Sequence, residues 1–434
     1  MIPWYCGKNR KAMFCINKKL FCRRIRMSYS EKTCKASVLA SVMIVAVLML
    51  LVVSGLILVR EHYDSAFYRL QEQKQQQMWL DSGFLFYCRD TAGQLRDTAG
   101  YVLFPEDKRS RIRVEAKPWG LYEAVTVTVG RTSSVRLLGM AQSARLPVLL
   151  YACDRGGIFS LAGRTQIEGK ACLPAAGVSY TAVRSEFFDG TPLPVSRISR
   201  SGKELPALQE EVRQRVTDCY RLEEGVVWTA PLPEYWKQPF GESTLIFPVG
   251  GEIKGKYSGN VILYSETPVY LGEECRLDAV LMVAPSVVIG PGFQGSLQVF
   301  ARDTVVVREG AELEYPSGIY LLSANPQRRV EIKEHAWVNG YIIVDGERRI
   351  TQKREINYRQ ALTARVRGLV YVDGIAQVQG IIAGALYVKD SYYFSESGYY
   401  SGLLYNAVLL ENPEMIWPFW LEGCPERRVI RWLE

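Results

Sequence analysis

Side chains that could perform chemistry are few in this sequence of 434 residues. Its two histidines, His62 and His335, are far apart in the chain, so spacing assembles no histidine-rich metal cluster and no Cys–His or Ser–His pair. Asp278, Asp303 and Glu309 fall at predicted turns, where exposed acids are common, and nothing marks them as the acid pair of a glycosidase. We therefore predict no catalytic residue, no cofactor and no metal site. A polysaccharide-active enzyme with acids on one face of a β structure stays open as an alternative.

Cysteines and clustered aromatic residues are the other candidates. Cys153 and Cys172 would close the shortest loop among the cysteines beyond residue 60, and either a disulfide between them or two free thiols fits their apolar neighbours. A dense aromatic group near the C-terminus suits contacts with a protein or a sugar, and closure of the end of a core is its alternative role. Its members are Tyr392, Tyr393, Phe394, Tyr399 and Tyr400.

The element that positions everything else is the stretch from Ala36 to Val59, which contains no charged residue. As a helix of about 24 residues it reaches roughly 36 Å, which is enough to cross a hydrocarbon core of about 30 Å. Residues 1–35 hold ten Lys or Arg against Glu31 alone, whereas the whole chain carries a net charge of +8. The basic excess therefore lies on one flank of the helix. This pattern predicts a single-pass protein of the cytoplasmic membrane with its N-terminus inside and its bulk outside, contacting the lipid bilayer and no nucleic acid.

A cleaved signal peptide is the alternative for this stretch, but its apolar region would be shorter and a small-x-small site would follow it. Beyond Val59, the residues Tyr63, Phe67, Leu70 and Met78 fall near one helical face, which predicts an amphipathic stalk. An apolar helix that continues into an amphipathic one before a β-rich head resembles the layout of pilins and pseudopilins over residues 32–85. The family's glutamate after the processing site has no counterpart here. That resemblance implies an assembly subunit with a trimmed N-terminus.

Period-two alternation from residue 100 to 150 predicts a small antiparallel β unit. A helix with Leu208, Val212 and Val216 at helical steps is predicted inside the following insertion, with its charged residues, including Arg213 and Arg215, in solvent.

Three β triplets centred on Tyr270, Val288 and Val306 are eighteen residues apart, and a glycine follows each. Short β pieces at such a period predict a β-solenoid, whose coils bury their inward residues only by stacking. A β-sandwich is the alternative. The Val-x-Ile-x-x-Gly coils over about residues 255–345 resemble bactofilin-like right-handed β-helices, which implies a polymer-forming scaffold.

We therefore expect a membrane-anchored, mainly β protein: a transmembrane helix and stalk, then a β-sheet unit and a right-handed β-solenoid with an inserted helix. The expected function is a structural or interaction scaffold of a bacterial envelope that contacts other envelope proteins or itself. The alternatives are a pilin-like subunit and a polysaccharide-binding or -cleaving protein. The expected parts are a basic tail (1–35), transmembrane helix (36–59), stalk (60–95), β unit leading into the first coils (96–182), insertion (183–235), coils (236–345), polar loop (346–365), and closing coils with an aromatic cap (366–434).

Overall fold

The computed structural model describes residues 35–90, 100–141, 148–222, 225–323, 325, 327–346, 355–395, 398–412, 414–419, 421 and 426–433. Nearly all of the basic tail and part of the polar loop 346–365 lie outside the described residues. The chain divides into two units, residues 1–72 and residues 73–434.

Helix α1 runs from Lys35 to Arg89 and belongs to both units. In the first unit its large apolar side chains from Val38 to Val59 are 50–69% exposed. Tyr63, Phe67 and Leu70, which the periodicity placed on a stalk face, are also exposed.

The end of α1 is part of the core of the second unit. Trp79, Leu80, Phe84 and Tyr87 are buried against an antiparallel sheet. Gly83 allows this close approach, because a Cβ there would lie 2.7 Å from Val127 Cγ1.

The chain contains 27 described strands and a second helix, α2 (Glu210–Arg221). The strands before the solenoid are β1 (Tyr101–Val102), β2 (Arg111–Trp119), β3 (Tyr122–Val129) and β4 (Thr132–Ala141). The next are β5 (Val148–Ala152), β6 (Phe159–Ala162), β7 (Gln166–Ile167), β8 (Lys170–Leu173), β9 (Val178–Thr181) and β10 (Ile198–Arg200). After α2 follow β11 (Val226–Val227), β12 (Tyr235–Gln238), β13 (Leu245–Pro248), β14 (Gly251–Gly259), β15 (Val261–Tyr264), β16 (Val269–Ile289), β17 (Gln294–Val307), β18 (Glu312–Leu322), β19 (Arg329–Ile332) and β20 (Trp337–Asp345). The last are β21 (Tyr358–Gln360), β22 (Arg365–Gln377), β23 (Gly380–Ser395), β24 (Gly398–Ser401), β25 (Leu403–Tyr405), β26 (Ala407–Leu410) and β27 (Glu426–Leu433).

Two architectures share these strands. An antiparallel sheet has the order β1-β2-β3-β4-β27, so the end of the chain returns to pair with β4. Most other strands are parallel and wind into closed coils, with each strand paired to one in the next coil, as β13 pairs with β15 and β18 with β20. The prediction of a mainly β protein with an N-terminal helix and solenoid-like coils is confirmed.

The order of the coils in space differs from their order in the chain. β23 pairs with β5 through Leu386 and Leu150, and β5 then pairs with β8. The first coils of the sequence therefore stack beyond the coils of residues 380–410, which we expected to close the solenoid. Periodicity identifies the coils, but it carries no information on which coils are neighbours.

A column of glycines lets these coils approach closely. Gly340, Gly368 and Gly384 are paired in register at φ of 150°, 149° and 152°. A Cβ at Gly384 would overlap the carbonyl oxygen of Gly368. The absence of a side chain at these positions therefore serves the close packing between coils.

The outer side of one solenoid face is covered by the antiparallel sheet and α2, with Tyr122, Leu281, Phe300 and Tyr341 in a shared core. Gln298 is the polar link in this core and is 3% exposed. Its Oε1 accepts hydrogen bonds from the Leu121 backbone N–H at 2.9 Å and the Tyr341 hydroxyl at 2.8 Å, and its Nε2 donates to the Trp119 carbonyl oxygen at 2.9 Å.

Helix α2 lies in the same layer. Leu208, at the approach to α2, and Val212 and Val216, within it, are buried, as the periodicity predicts. The expectation that its charged residues are all solvated is wrong for Arg215, because Arg215 lies 2.7 Å from the buried carboxylate of Glu123. The sequence could not reveal this contact, since the two residues are 92 positions apart.

Candidate binding surface

The predicted aromatic surface forms a hairpin between β23 and β24. Tyr393 pairs with Tyr400, and Phe394 pairs with Tyr399. Tyr393 is buried, with its ring centroid 4.6 Å from that of Tyr405. Tyr399 is 50% exposed and Tyr400 is 38% exposed. Tyr392 contacts the Phe394 and Tyr399 rings at 6.0 and 5.9 Å, so this group combines a packing role with an exposed edge.

The two cysteines considered for a bridge are free thiols. Cys153 is buried, and burial raises the pKa of its thiol to about 12, which makes it a poor nucleophile. Cys172 Sγ lies 3.6 Å from Ser199 Oγ on the neighbouring strand.

A second surface runs along the coils on the face that contains β12 and the start of β20. In this face the inward residues are buried, as Tyr257, Leu277 and Val338 are, so their neighbours in the strands point outward. Strand register pairs Tyr235, Lys256 and Arg276 in one series and Gln294, Glu312, Trp337 and Arg365 in a second. Arg276 and Gln294 line the same groove, so the two series adjoin, and we call them together the outer ladder. Its members are Tyr235, Lys256, Arg276, Gln294, Glu312, Trp337 and Arg365.

The part of the outer ladder from Tyr235 to Gln294, which we call its lower part, borders a groove of about 350 Å³. Lys256 and Arg276 are paired in register and exposed, and Glu314 and Asp278 line the same groove. Asp278 accepts two hydrogen bonds from the Arg431 guanidinium, at 2.5 and 2.8 Å. Burial alone would raise the pKa of Asp278, but Arg431 outweighs it and holds that pKa below its usual value. This carboxylate is therefore neutralised by β27 in the folded protein.

The upper part of the outer ladder carries an exposed aromatic ring. Trp337 is 40% exposed and borders a depression of about 470 Å³ together with His335, Leu362 and Arg365. The second histidine of the sequence therefore lies beside the ladder, in a coil corner where its backbone N–H donates to Thr363 Oγ1 at 3.0 Å.

A larger cavity of about 580 Å³ lies along β2 and is lined by Arg113, Lys117, Glu123 and Arg215. Glu115 and Glu123 are its two acidic residues, and Glu123 is already occupied, because it also accepts a hydrogen bond from the Tyr87 hydroxyl at 3.2 Å. These contacts join α1, the antiparallel sheet and α2, so the cavity borders a structural junction. Among the described residues, no group of three or more His, Cys, Asp or Glu side chains is arranged to hold a metal ion.

The outer ladder was not predicted from the sequence, although the spacing of three of its residues is visible there. Arg276, Gln294 and Glu312 are spaced by the same eighteen residues as the β triplets. The eighteen-residue spacing does not extend to the neighbouring members of the ladder. The bulge between Ile253 and Gly255 breaks it on the N-terminal side, and the loop before Arg329 breaks it on the C-terminal side.

None of the protein-family models, curated proteins or solved structures compared with the chain matches it.

Proposed function

We propose that this chain is a single-pass protein of a bacterial cytoplasmic membrane, with its N-terminus in the cytoplasm and an exported β-solenoid head that acts as a structural or interaction scaffold. The observation that carries the proposal is the bare apolar helix. Its most apolar window has a mean hydropathy of 3.2 and is not buried anywhere inside the structure. Soluble proteins rarely expose a continuous apolar surface of this size, so a bilayer is the natural solvent for it.

The orientation rests on charge. The basic tail precedes the helix, and the flank beyond it carries Arg60, Glu61 and Asp64, which are mixed in sign. Basic flanks of membrane helices usually remain in the cytoplasm, and this charge asymmetry supports an orientation with the head outside.

The ends of the solenoid favour a scaffold that works through its lateral face over one that polymerises end to end. The terminal strands β11 and β12 at one end and β9 and β10 at the other have only two to four residues, and short edge strands resist pairing with another chain. The coils next to β11 are filled by Trp228, Trp236 and Phe247, with ring centroids 4.9 to 6.1 Å apart. A bactofilin-like filament would need open coil ends. The open lateral surface is the outer ladder, which we assign as the contact surface of the scaffold.

Membrane fractionation of the full-length protein tests the anchor. Val47→Arg with Leu51→Arg places two charges in the apolar helix, each costing about 2.5–3.5 kcal/mol of insertion free energy. We expect this variant to leave the carbonate-resistant membrane pellet. The matched control is Val226→Arg with Val227→Arg in the head, where both valines are 55% exposed, and it should stay in the pellet with the wild type. A soluble wild-type protein would refute the anchor.

A minor pilin-like subunit is the alternative, and the mature N-terminus separates the two. Mass spectrometry should find the residues before Ala36 retained in an anchored scaffold, whereas a new N-terminus at Ala36 or Ser37 would indicate processing of the prepilin kind.

A further inference from the structure

The outer ladder carries unpaired positive charge in two clusters. Lys256 and Arg276 form the lower cluster, and Arg365 with Arg367 forms the upper one, on a single strand. All four are exposed, and none has an ion-pair partner among the described residues. With strands about 4.8 Å apart, the two clusters are roughly 19 Å from each other along the solenoid.

Between the two cationic clusters, the exposed side chains are polar, acidic or aromatic. Gln294, Glu312 and Glu314 provide an amide and two carboxylates, and Trp337 provides an exposed ring. The four cations exceed these two acids, and Asp278 adds no free negative charge because Arg431 neutralises it. Tyr235, which is 65% exposed, adds a second ring at the lower end of the ladder.

From this pattern we infer that the outer ladder binds an extended, uronate-bearing polysaccharide along the solenoid axis. The inference rests on the proposed function and names the ligand class of its contact surface. Carboxylates of the chain bind the two cationic clusters through charge-assisted hydrogen bonds. Hydroxyls in the middle of the bound polysaccharide donate hydrogen bonds to Glu312 and Glu314, and its pyranose rings stack on Trp337 and Tyr235. A regular polymer suits this surface because the parallel coils repeat the contacts at constant spacing.

An acidic peptide would satisfy the cations equally well, but it has no flat pyranose rings for Trp337 and no row of hydroxyl donors for Glu312 and Glu314. The polysaccharide is therefore the occupant that uses all of the ladder.

Binding is measured with the full-length protein in detergent, by calorimetry against polygalacturonate fragments, digalacturonate, a neutral β-linked glucan and polyglutamate. We expect the long polygalacturonate fragment to bind and the dimer to bind much more weakly, because the dimer cannot reach both clusters. Lys256→Gln with Arg276→Gln should weaken binding about tenfold or more, since two charge-assisted hydrogen bonds are lost. Trp337→Ala should weaken binding while leaving its salt dependence unchanged.

Two control variants match these changes outside the ladder. Lys170→Gln with Arg200→Gln removes two exposed cations from other strands, and Tyr399→Ala with Tyr400→Ala removes exposed rings from the hairpin. Both should bind like the wild type, and circular dichroism should show all variants folded.

Four outcomes would overturn the inference: no binding of polygalacturonate, equal binding of the neutral glucan or of polyglutamate, an equal loss in the controls, or a loss only in the hairpin variant. None of them depends on membrane fractionation, so the anchored scaffold could stand while this ligand class falls.

Discussion

The Gln298 side chain provides the sharpest test of how the antiparallel sheet is held on the solenoid. Replacing Gln298 with Leu keeps the approximate volume but removes the partners of three polar groups. These are the Leu121 N–H, the Trp119 carbonyl and the Tyr341 hydroxyl, each 2.8–2.9 Å from the amide. The three residues are at most 5% exposed, so water does not readily replace the lost hydrogen bonds.

The size of the effect follows from these three groups. A buried polar group left without a partner costs about 1–3 kcal/mol, so the loss of three partners in Gln298→Leu should lower the free energy of unfolding by about 3–9 kcal/mol. Gln294→Leu is the matched control, because Gln294 lies on the same strand and is exposed. Exposed substitutions usually change stability by no more than about 0.5 kcal/mol.

Two measurements on the full-length protein in detergent check this prediction. The urea midpoint should fall for Gln298→Leu and stay unchanged for Gln294→Leu. Hydrogen exchange should show faster exchange at the Leu121 amide, because its acceptor is gone. Equal midpoints for the two variants, or unchanged protection of Leu121, would refute the view that Gln298 links the two layers.

Three further predictions concern packing, thiol reactivity and pH. Gly83→Val should lower the free energy of unfolding by about 1–3 kcal/mol, because its side chain overlaps Val127, whereas Gly55→Val has open space and should not lower it in the same urea experiment. Cys153 should resist iodoacetamide at about pH 8 in the folded protein and react in urea, because burial raises the pKa of its thiol to about 12. The more exposed Cys172 should be alkylated first. Equal alkylation rates of the two cysteines in peptide mapping would contradict this. The lowered pKa of Asp278 contributes stability above its unfolded pKa of about 3.9, and this contribution is lost as pH falls through the lower folded pKa. Below about pH 4 the urea midpoint of the wild type should therefore fall more steeply than that of Asp278→Asn, and parallel curves would argue against the Arg431 contact.

Local patterns were sufficient for the elements of this fold. The uncharged stretch, the period-two strands and the helical spacing of Leu208, Val212 and Val216 each depend on neighbours within a few residues. The eighteen-residue repeat likewise reports coils whose turns are short and regular.

Contacts between distant residues were beyond the sequence. No sequence pattern near Arg215 predicts its contact with Glu123, and none near Gln298 predicts its hydrogen bond to the Leu121 backbone. These partners meet only after the two layers pack. The outer ladder is partly predictable from the sequence. Its three central members follow the eighteen-residue repeat, whereas a bulge and a loop change the spacing to Lys256 and Trp337.

The displaced order of the coils has a consequence for how the chain acquires its structure. Arg155 forms an ion pair with Asp390 at 3.0 Å, across 235 positions of sequence. During synthesis the strands β5 and β8 therefore emerge long before the surface on which they stack exists. High contact order of this kind slows folding and leaves strand edges exposed to aggregation. We expect nascent chains that end before β23 to require protection by a chaperone, and the first coils of the sequence to be among the last parts of the head to become ordered.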